Sequence, residues 1–339
     1  MKVVLVGDYP PPPGGVAVHV RQLFDYLREK GADVKVLDVG KGGHEGDGVY
    51  SARTPKTLVA QLSRLASSGH LVHLHTSGNN SMAWMLAAVV SVCPAPVGRV
   101  LTLHSGLFPG FVERSLGRRL LVRLAAEAYG RVVAVSPPIA EALVKLGVPA
   151  ERVRMHPAFL ASQVRPGKPP AGFDEVRRRR SPLLAMAHHP SPVYGRALMF
   201  RALRRSLQMF PDLGLAVFGP GTRHRAFQEA ARAERVEGVL EDFGELPHDQ
   251  ALALLRGCDL FVRPTLVDGD AVSVREALAL GVPCVASNVV ARPAGVTTFR
   301  AGDEAALVEA LGTALCRRPP PSAGPDAGPF LFHLYEELL

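Results

Sequence analysis

The chain has 339 residues, 47% of them hydrophobic, enough for two domains with separate cores. The formal net charge is +8, yet aromatic residues make up only 6% and do not interleave with the basic ones. That excludes a stacking platform for nucleic acid and leaves phosphorylated small substrates or an anionic membrane surface as partners.

No apolar run reaches the roughly 18 to 20 residues that cross a bilayer, and the start has no signal-peptide layout. A cytoplasmic protein is expected, at most peripheral at the inner membrane face. The cysteines (Cys93, Cys258, Cys284 and Cys316) form no C-x-x-C pair, so they read as buried reduced thiols.

Met1 to Gly7 reads as a strand, followed by a proline-rich loop to Gly14 and Gly15. Val16 to Lys30 carries Val16, Val20, Leu23 and Leu27 at helical spacing and stops at Gly31. Val34 to Leu37 is the second strand. The paired glycines let backbone approach a ligand closely, with an unliganded turn as the competing reading. They do not form G-x-G-x-x-G, so a dinucleotide site is not supported. Gly40 to Gly48 reads as a mobile loop, and Thr57 to Ser67 as a helix.

Leu71 to His75 is a strand that ends in the polar run Thr76 to Asn80, and Ser81 to Val92 is a helix. Val100 to Leu103 is a strand with His104 directly behind it. Polar residues at the C-terminal ends of parallel strands are where open α/β sheets bind ligands. His75, Asn79 and His104 are therefore site candidates. Phe111 to Tyr129 reads as one helix mixing leucine and valine with Arg114, Arg118, Arg119 and Arg123. It fits a helix lying on an anionic membrane and equally a solvated outer helix. Val132 to Ser136 is a strand, Pro138 to Leu146 a helix, and Val153 to Met155 a short strand.

Composition breaks at Ser162 to Ser181, rich in proline and glycine and ending in Arg177 to Arg180, and the domain linker is placed there. The arginine run reads as solvated or as a contact for lipid phosphates. A second alternation follows. Leu183 to Ala187, Leu213 to Phe218, Val239 to Phe243, Cys258 to Val262, Val282 to Ala286 and Val296 to Phe299 are strands. Gly195 to Phe210, Arg225 to Arg235, a segment ending at Arg256, Ala271 to Leu280 and Glu304 to Leu315 are helices. A tail, Pro319 to Pro329, leads to a short amphipathic helix at Phe330 to Leu339 that packs back on the first half.

The expected fold is α/β, with two doubly wound, Rossmann-like parallel sheets facing each other across a cleft. The first domain covers residues 1–165, with 330–339 returning to it, and the second covers 166–325. Between the strands ending at Val262 and starting at Val282 lies an Asp/Gly turn, then a helix. That layout aims backbone N–H groups and a helix dipole at an anion, with Asp268 and Glu276 along the same edge.

The stretch DGDAVSVREALALGVPCVAS, on this architecture, resembles the retaining glycosyltransferases of family 4, which have the GT-B fold. Glu276 stands at the second acidic position of their Glu-x7-Glu signature, and Ala277, Gly281, Val282, Pro283, Ala286 and Ser287 fit; Asp268 replaces the first Glu. Gly14-Gly15, His104, Phe243-Gly244 and Tyr335 to Leu338 also match.

The resemblance implies a nucleotide-diphosphate sugar as donor and a glycan, lipid-linked or small-molecule acceptor. It implies retention and no metal or other cofactor. Glu276 would hold the ribose, Asp268 the donor sugar, and His104 that sugar near its reacting carbon. The backbone at Gly269, Asp270, Ala271, Val272 and Ser273 would take the diphosphate, which Gly14 and Gly15 approach. Gly219, Leu246 and the His75–Asn79 region would set base, sugar and acceptor choice.

One departure concerns the cations. The family has an Arg and a Lys-Gly after the first strand of domain two; here Tyr194 stands at the lysine position, before Gly195. Arg196, Arg263 or a histidine would have to substitute. The pair His188-His189 has no third ligand nearby, so it is not read as a metal site. Alternatives to a transferase are a scaffold protein that has lost the chemistry, or a nucleotide-sugar epimerase.

Overall fold

A computed structural model describes residues 1–12, 14–316 and 323–339. The start of the tail read at Pro319 to Pro329 lies outside the described residues. The chain forms two compact units, Met1–Gln163 with Pro325–Leu339, and Val164–Gly324.

The first unit runs β1 (Lys2–Gly7), α1 (Gly15–Glu29), β2 (Asp33–Asp38), β3 (Val49–Ser51), α2 (Pro55–Ser67), β4 (Leu71–Thr76), α3 (Ser81–Val92) and β5 (Arg99–Leu103). It continues through α4 (Phe108–Glu113), α5 (Leu116–Glu127), β6 (Arg131–Ala134), α6 (Pro137–Lys145) and β7 (Val153–Met155). All pairings are parallel, in the order β3-β2-β1-β4-β5-β6-β7. Strands buried on both faces must be apolar throughout, and β1 is fully buried from Val3 to Gly7. The strand order reverses between β1 and β4, so the crevice of this sheet opens at their C-terminal ends.

Sequence and structure differ at several places in this unit. The segment 40–48 is not a free loop. The buried Asp38 carboxylate accepts the backbone N–H groups of Tyr9 (3.1 Å), Gly40 (2.9 Å) and His44 (3.0 Å), and β3 follows at once. The helix read over Phe111 to Tyr129 is two helices. Ser115 interrupts it, because its Oγ accepts the Arg118 N–H and so starts α5 afresh. The strand after it ends at Ala134 rather than Ser136, because Ser136 is the cap residue of α6.

The second unit runs α7 (Phe173–Arg179), β8 (Leu183–Ala187), α8 (Arg196–Ser206), β9 (Gly214–Phe218), α9 (Arg225–Ala233), β10 (Leu240–Gly244) and α10 (His248–Gly257). It continues through β11 (Leu260–Arg263), α11 (Val272–Ala279), β12 (Cys284–Ser287), β13 (Val296–Phe299) and α12 (Glu304–Cys316). Its parallel sheet has the order β10-β9-β8-β11-β12-β13, so its switch point lies between β8 and β11. Two clusters of buried apolar side chains, one built around Phe200 and Phe227 and one around Phe261 and Val274, cover the sheet.

The arginine run read as solvated or lipid-facing is mostly structural. It forms the end of α7. Arg177 grips Asp259 with two bonds of 2.8 Å, and Arg179 and Arg180 both reach Glu241 (3.2 and 2.9 Å). Only Arg178 of the four makes none of these pairs, and it is exposed.

The last helix, α13 (Ala327–Glu336), belongs to the first unit. It starts three residues earlier than the periodicity suggests, because Asp326 caps it through Gly328 N–H (2.8 Å) and also accepts Ala161 N–H (3.1 Å). Leu331, Leu334 and Tyr335 enter the core beside α1. The Tyr335 hydroxyl hydrogen-bonds Nδ1 of the buried His73, whose Nε2 reaches Thr102 Oγ1 at 2.7 Å. Tyr335→Phe leaves a buried imidazole nitrogen without its partner. It should lower the unfolding free energy of this unit by about 1–3 kcal/mol in a urea titration, with little change in circular dichroism at low urea.

Candidate active site

In the second unit the candidate side chains gather at the C-terminal ends of β8 and β11. Two glycines shape this edge. Gly195 (φ +75°) sits where a Cβ would lie 1.9 Å from the Pro264 carbonyl oxygen, and Gly219 (φ +124°) where it would lie 2.3 Å from the His188 carbonyl oxygen. Any side chain there would push the loop after β8 off its neighbours.

Beyond β11 the chain forms a buried charge cluster. Asp268 accepts from Arg263 Nε (3.3 Å) and Nη2 (3.5 Å), Arg292 Nη1 (3.0 Å) and Thr265 Oγ1 (3.2 Å). Three of these donors meet Oδ2 and only Arg263 Nη2 meets Oδ1, which keeps an acceptor site. Burial pushes its pKa up, but the charges and bonds of Arg263 and Arg292 outweigh that and hold it below the usual range. Arg292 is further held by the Ser287 carbonyl (2.9 Å). Two guanidiniums against one carboxylate leave one positive charge over. Arg263 lies 4.7 Å from the centre of the Tyr194 ring, which in turn stacks on His189 at 4.8 Å.

The turn after Asp268 leads into α11. Asp270 points away from the cluster: it binds Arg275 Nε with both oxygens at 2.9 Å, and Arg275 also donates to the Ala323 carbonyl. Ala271 caps the helix without a side-chain hydrogen bond, leaving the first-turn N–H groups near Val272 and Ser273 for an outside acceptor. One turn further on, Glu276 is buried and pairs with His248 Nε2 at 3.0 Å, from the start of α10. Leu246, just before α10, is half-buried against the cluster around Phe261.

Arg196 opens α8 with its guanidinium 5.8 Å from the Phe227 ring, which His188 meets edge-on at 4.8 Å. Burial first, then the charge of Arg196, push His188 down to about 4, so it is neutral at pH 7.

In the first unit the crevice edge carries imidazoles. His104 N–H donates to the Thr76 carbonyl (3.0 Å), which sets its ring beside His75; His75 Nδ1 and His104 Nε2 are 3.3 Å apart. His19 from α1 closes the group, with ring centres 5.2 Å from His75 and 5.1 Å from His104. Burial pushes all three pKa values down, His19 to about 4, so the rings are neutral. One nitrogen from each lies within 4.8 Å of the others, the spacing at which three ligands can share an ion. Asn79 is held by Ser77 Oγ (2.9 Å) and Ser105 Oγ (3.2 Å), so it ties the loops after β4 and β5 together. Neither Gly14 nor Gly15 would place a Cβ within 4 Å of another group, so packing does not demand either glycine.

Two family models match the chain: glycosyltransferase family 4 over residues 13–160, and glycosyl transferases group 1 over residues 172–305. The chain belongs to the GT-B glycosyltransferases. It is an enzyme of the hexosyl-transferring class. It is 25% identical to a glycogen synthase of Mycobacterium tuberculosis over 374 residues, spanning 94% of this chain and 85% of that protein. It is 23% identical to a phosphatidyl-myo-inositol mannosyltransferase of the same species over 303 residues, spanning 82% and 75%. Among solved structures it resembles Anabaena HepE in complex with UDP and glucose, with a TM-score of 0.71, 17% identity, and 99% and 96% of the two chains covered.

Within this glycosyltransferase the structure joins Arg263 to Asp268 and adds Arg292, which sequence reasoning missed. It joins Glu276 to His248, also missed, and His75 and His104 to His19. His19 was legible as a member of the Val16, Val20, Leu23 face of its helix; Arg292 lies in an irregular segment with no periodicity to mark it.

Asp268→Asn removes the one carboxylate that faces both guanidiniums. It should destabilise the second unit by about 3–5 kcal/mol. Because the folded pKa of Asp268 lies below the ordinary carboxyl value of 3.8, its stabilising share is complete above that pH and is lost as pH falls through the folded value. Asp270, raised by burial despite Arg275, acts with the opposite sign and persists in the variant. The wild-type-minus-variant difference in unfolding free energy should therefore shrink on acidification, read from urea titrations at stepped pH.

Proposed function

We propose that this glycosyltransferase moves a hexosyl group from a nucleotide-diphosphate sugar to a hydroxyl of a glycan or lipid-linked acceptor, with retention and without a metal ion. The observation that carries the reading is the positive charge left over in the Arg263–Asp268–Arg292 cluster, next to the uncapped start of α11. A diphosphate leaving group gains negative charge as the bond from sugar to oxygen breaks. Fixed N–H donors and a buried cation that need no reorganisation stabilise that state.

Glu276 fits a ribose. Its position one turn into α11 puts a carboxylate, oriented by His248, within reach of hydroxyls on a nucleotide whose phosphates lie at the helix start. Gly269, Asp270, Ala271, Val272 and Ser273 supply backbone for the diphosphate, with Arg263 as the cation. Asp268 holds that cation in place mainly through Oδ2, and its Oδ1, met only by Arg263 Nη2 at 3.5 Å, is the oxygen left to accept a hydroxyl of the donor sugar. In the second unit Gly219, Leu246 and Arg196 suit the border of a donor site; in the first, Gly14 and Gly15 leave their helix start open to an anionic group, and His104, His75 and Asn79 offer polar groups suited to sugar and acceptor hydroxyls. The HepE complex with UDP and glucose supports a nucleoside diphosphate sugar as donor, with the base open.

A second reading rests on Tyr194, which covers Arg263 where the family has lysine. On that reading the protein binds nucleotide but transfers nothing.

A panel of UDP-, GDP- and ADP-sugars should include one that raises the melting temperature, by the equivalent of about 2.7 kcal/mol at a hundredfold excess over Kd. Glu276→Gln should weaken that nucleotide about ten- to a hundredfold while keeping the fold, through loss of charge-assisted bonds. No shift with any nucleotide would overturn the proposal. Binding without product or donor hydrolysis would favour the second reading. Turnover unchanged by EDTA, with product of retained anomeric configuration by NMR, is the expected outcome.

A further inference from the structure

Helices α3 and α5 lie side by side on the first unit and are built the wrong way round for water. At 100° per residue, Val122, Ala125 and Ala126 mark the buried side of α5. Opposite them, at the centre of the outward face, stand Leu116, Leu120 and Leu124, which are 79%, 58% and 58% exposed. On α3 the buried side is Ala83, Trp84, Ala87 and Val90, and the outward side carries Met82, Met85 and Val92, exposed to 70%, 53% and 80%. The helix α3 holds no charged residue at all. A soluble helix places polar residues at these positions.

The rim of this face is basic. Arg114, Arg119 and Arg123 stand against Glu113 and Glu127, a balance of +1, with Arg123 and Glu127 paired at 3.4 Å; Arg118 turns inward over the Phe111 ring. Arg114 and Arg119 are exposed and make no ion pair among the described residues. No helix of the described residues is long and apolar enough to cross a membrane, so the face can only lie on one.

We propose that the outward face of α3 and α5 is a docking surface for an anionic lipid bilayer, with the leucine and methionine side chains in the acyl boundary and the arginines on lipid phosphates. The chemistry separates this occupant from a second copy of the chain. A helix with leucines flanked by arginines, lying flat, matches apolar chains below a layer of phosphate. A self-complementary interface would instead bring this net positive rim against itself. The surface stands on its own observations and does not depend on which donor the enzyme uses.

Sucrose-loaded vesicles of phosphatidylcholine, and of equimolar phosphatidylcholine and phosphatidylglycerol, provide the test by co-sedimentation. The protein should bind the anionic vesicles and lose binding as salt rises. Replacing the three leucines together (L116Q, L120Q and L124Q) should weaken that binding by about tenfold or more. R119Q with R114Q should weaken it about fivefold per arginine, only on anionic vesicles. Circular dichroism melts establish that the variants fold, so failure of any nucleotide to bind would leave this result standing. Equal binding to neutral vesicles, or an unchanged triple-leucine variant, overturns the proposal. So does a dimer, seen by light scattering, that the triple variant abolishes while no vesicle binding occurs.

Discussion

Two guanidiniums and one carboxylate, buried together past the end of β11, are the constraint on which the second unit's ligand edge depends. Ions are costly to remove from water, and a pair of this kind persists only where every bond is placed. Arg292 can reach Asp268 only because β12 and β13 bring the segment between them back over the end of β11, 24 residues away in sequence. Arg263 is set by the last position of β11, and Tyr194 covers it only because Gly195 allows the backbone to touch Pro264. Removing any of these elements exposes or orphans a charge, so the cluster locks several loops at once. Its cost is accepted at the switch point of the sheet, where surplus positive charge has a use.

The first unit solves a related problem with neutral groups. His19, His73, His75 and His104 are packed so closely that burial and mutual repulsion keep them uncharged. Neutral imidazoles can be buried at the end of a sheet where ammonium or guanidinium groups would each need a partner. Tyr335 on the returning helix completes one hydrogen-bonded chain through His73 to Thr102, so the C-terminal segment supports the layer that carries the imidazoles. The same unit carries its outer apolar face on α3 and α5, helices that pack against each other.

Much of the fold was legible because parallel strands buried on both faces are mostly apolar runs, and Leu183–Ala187 and Gly214–Phe218 are just that. The elements that escaped are those whose shape comes from partners. The three residues of β3 form only beside β2, and α7 is a polar, arginine-rich turn whose place is fixed by Asp259 and Glu241. At the site, the Asp268–Ser273 turn and Glu276 stood out locally, whereas Arg292 and His248 carried no periodic signal. Asp268 shows the limit of such reading: as a type and position it suggested a sugar ligand, but that Arg263, Thr265 and Arg292 all converge on it is visible only in the fold.

By itself the sequence determined the alternation of strands and helices, the family resemblance and the turn that leads into α11. Tertiary structure decided which charges neutralise one another, which histidines meet, and that the leucines of α5 face outward. The physical reason is range. Hydrophobic periodicity repeats within a few residues and survives reading along the chain, but desolvation and charge pairing act through space, between groups that only crossovers and strand register bring together.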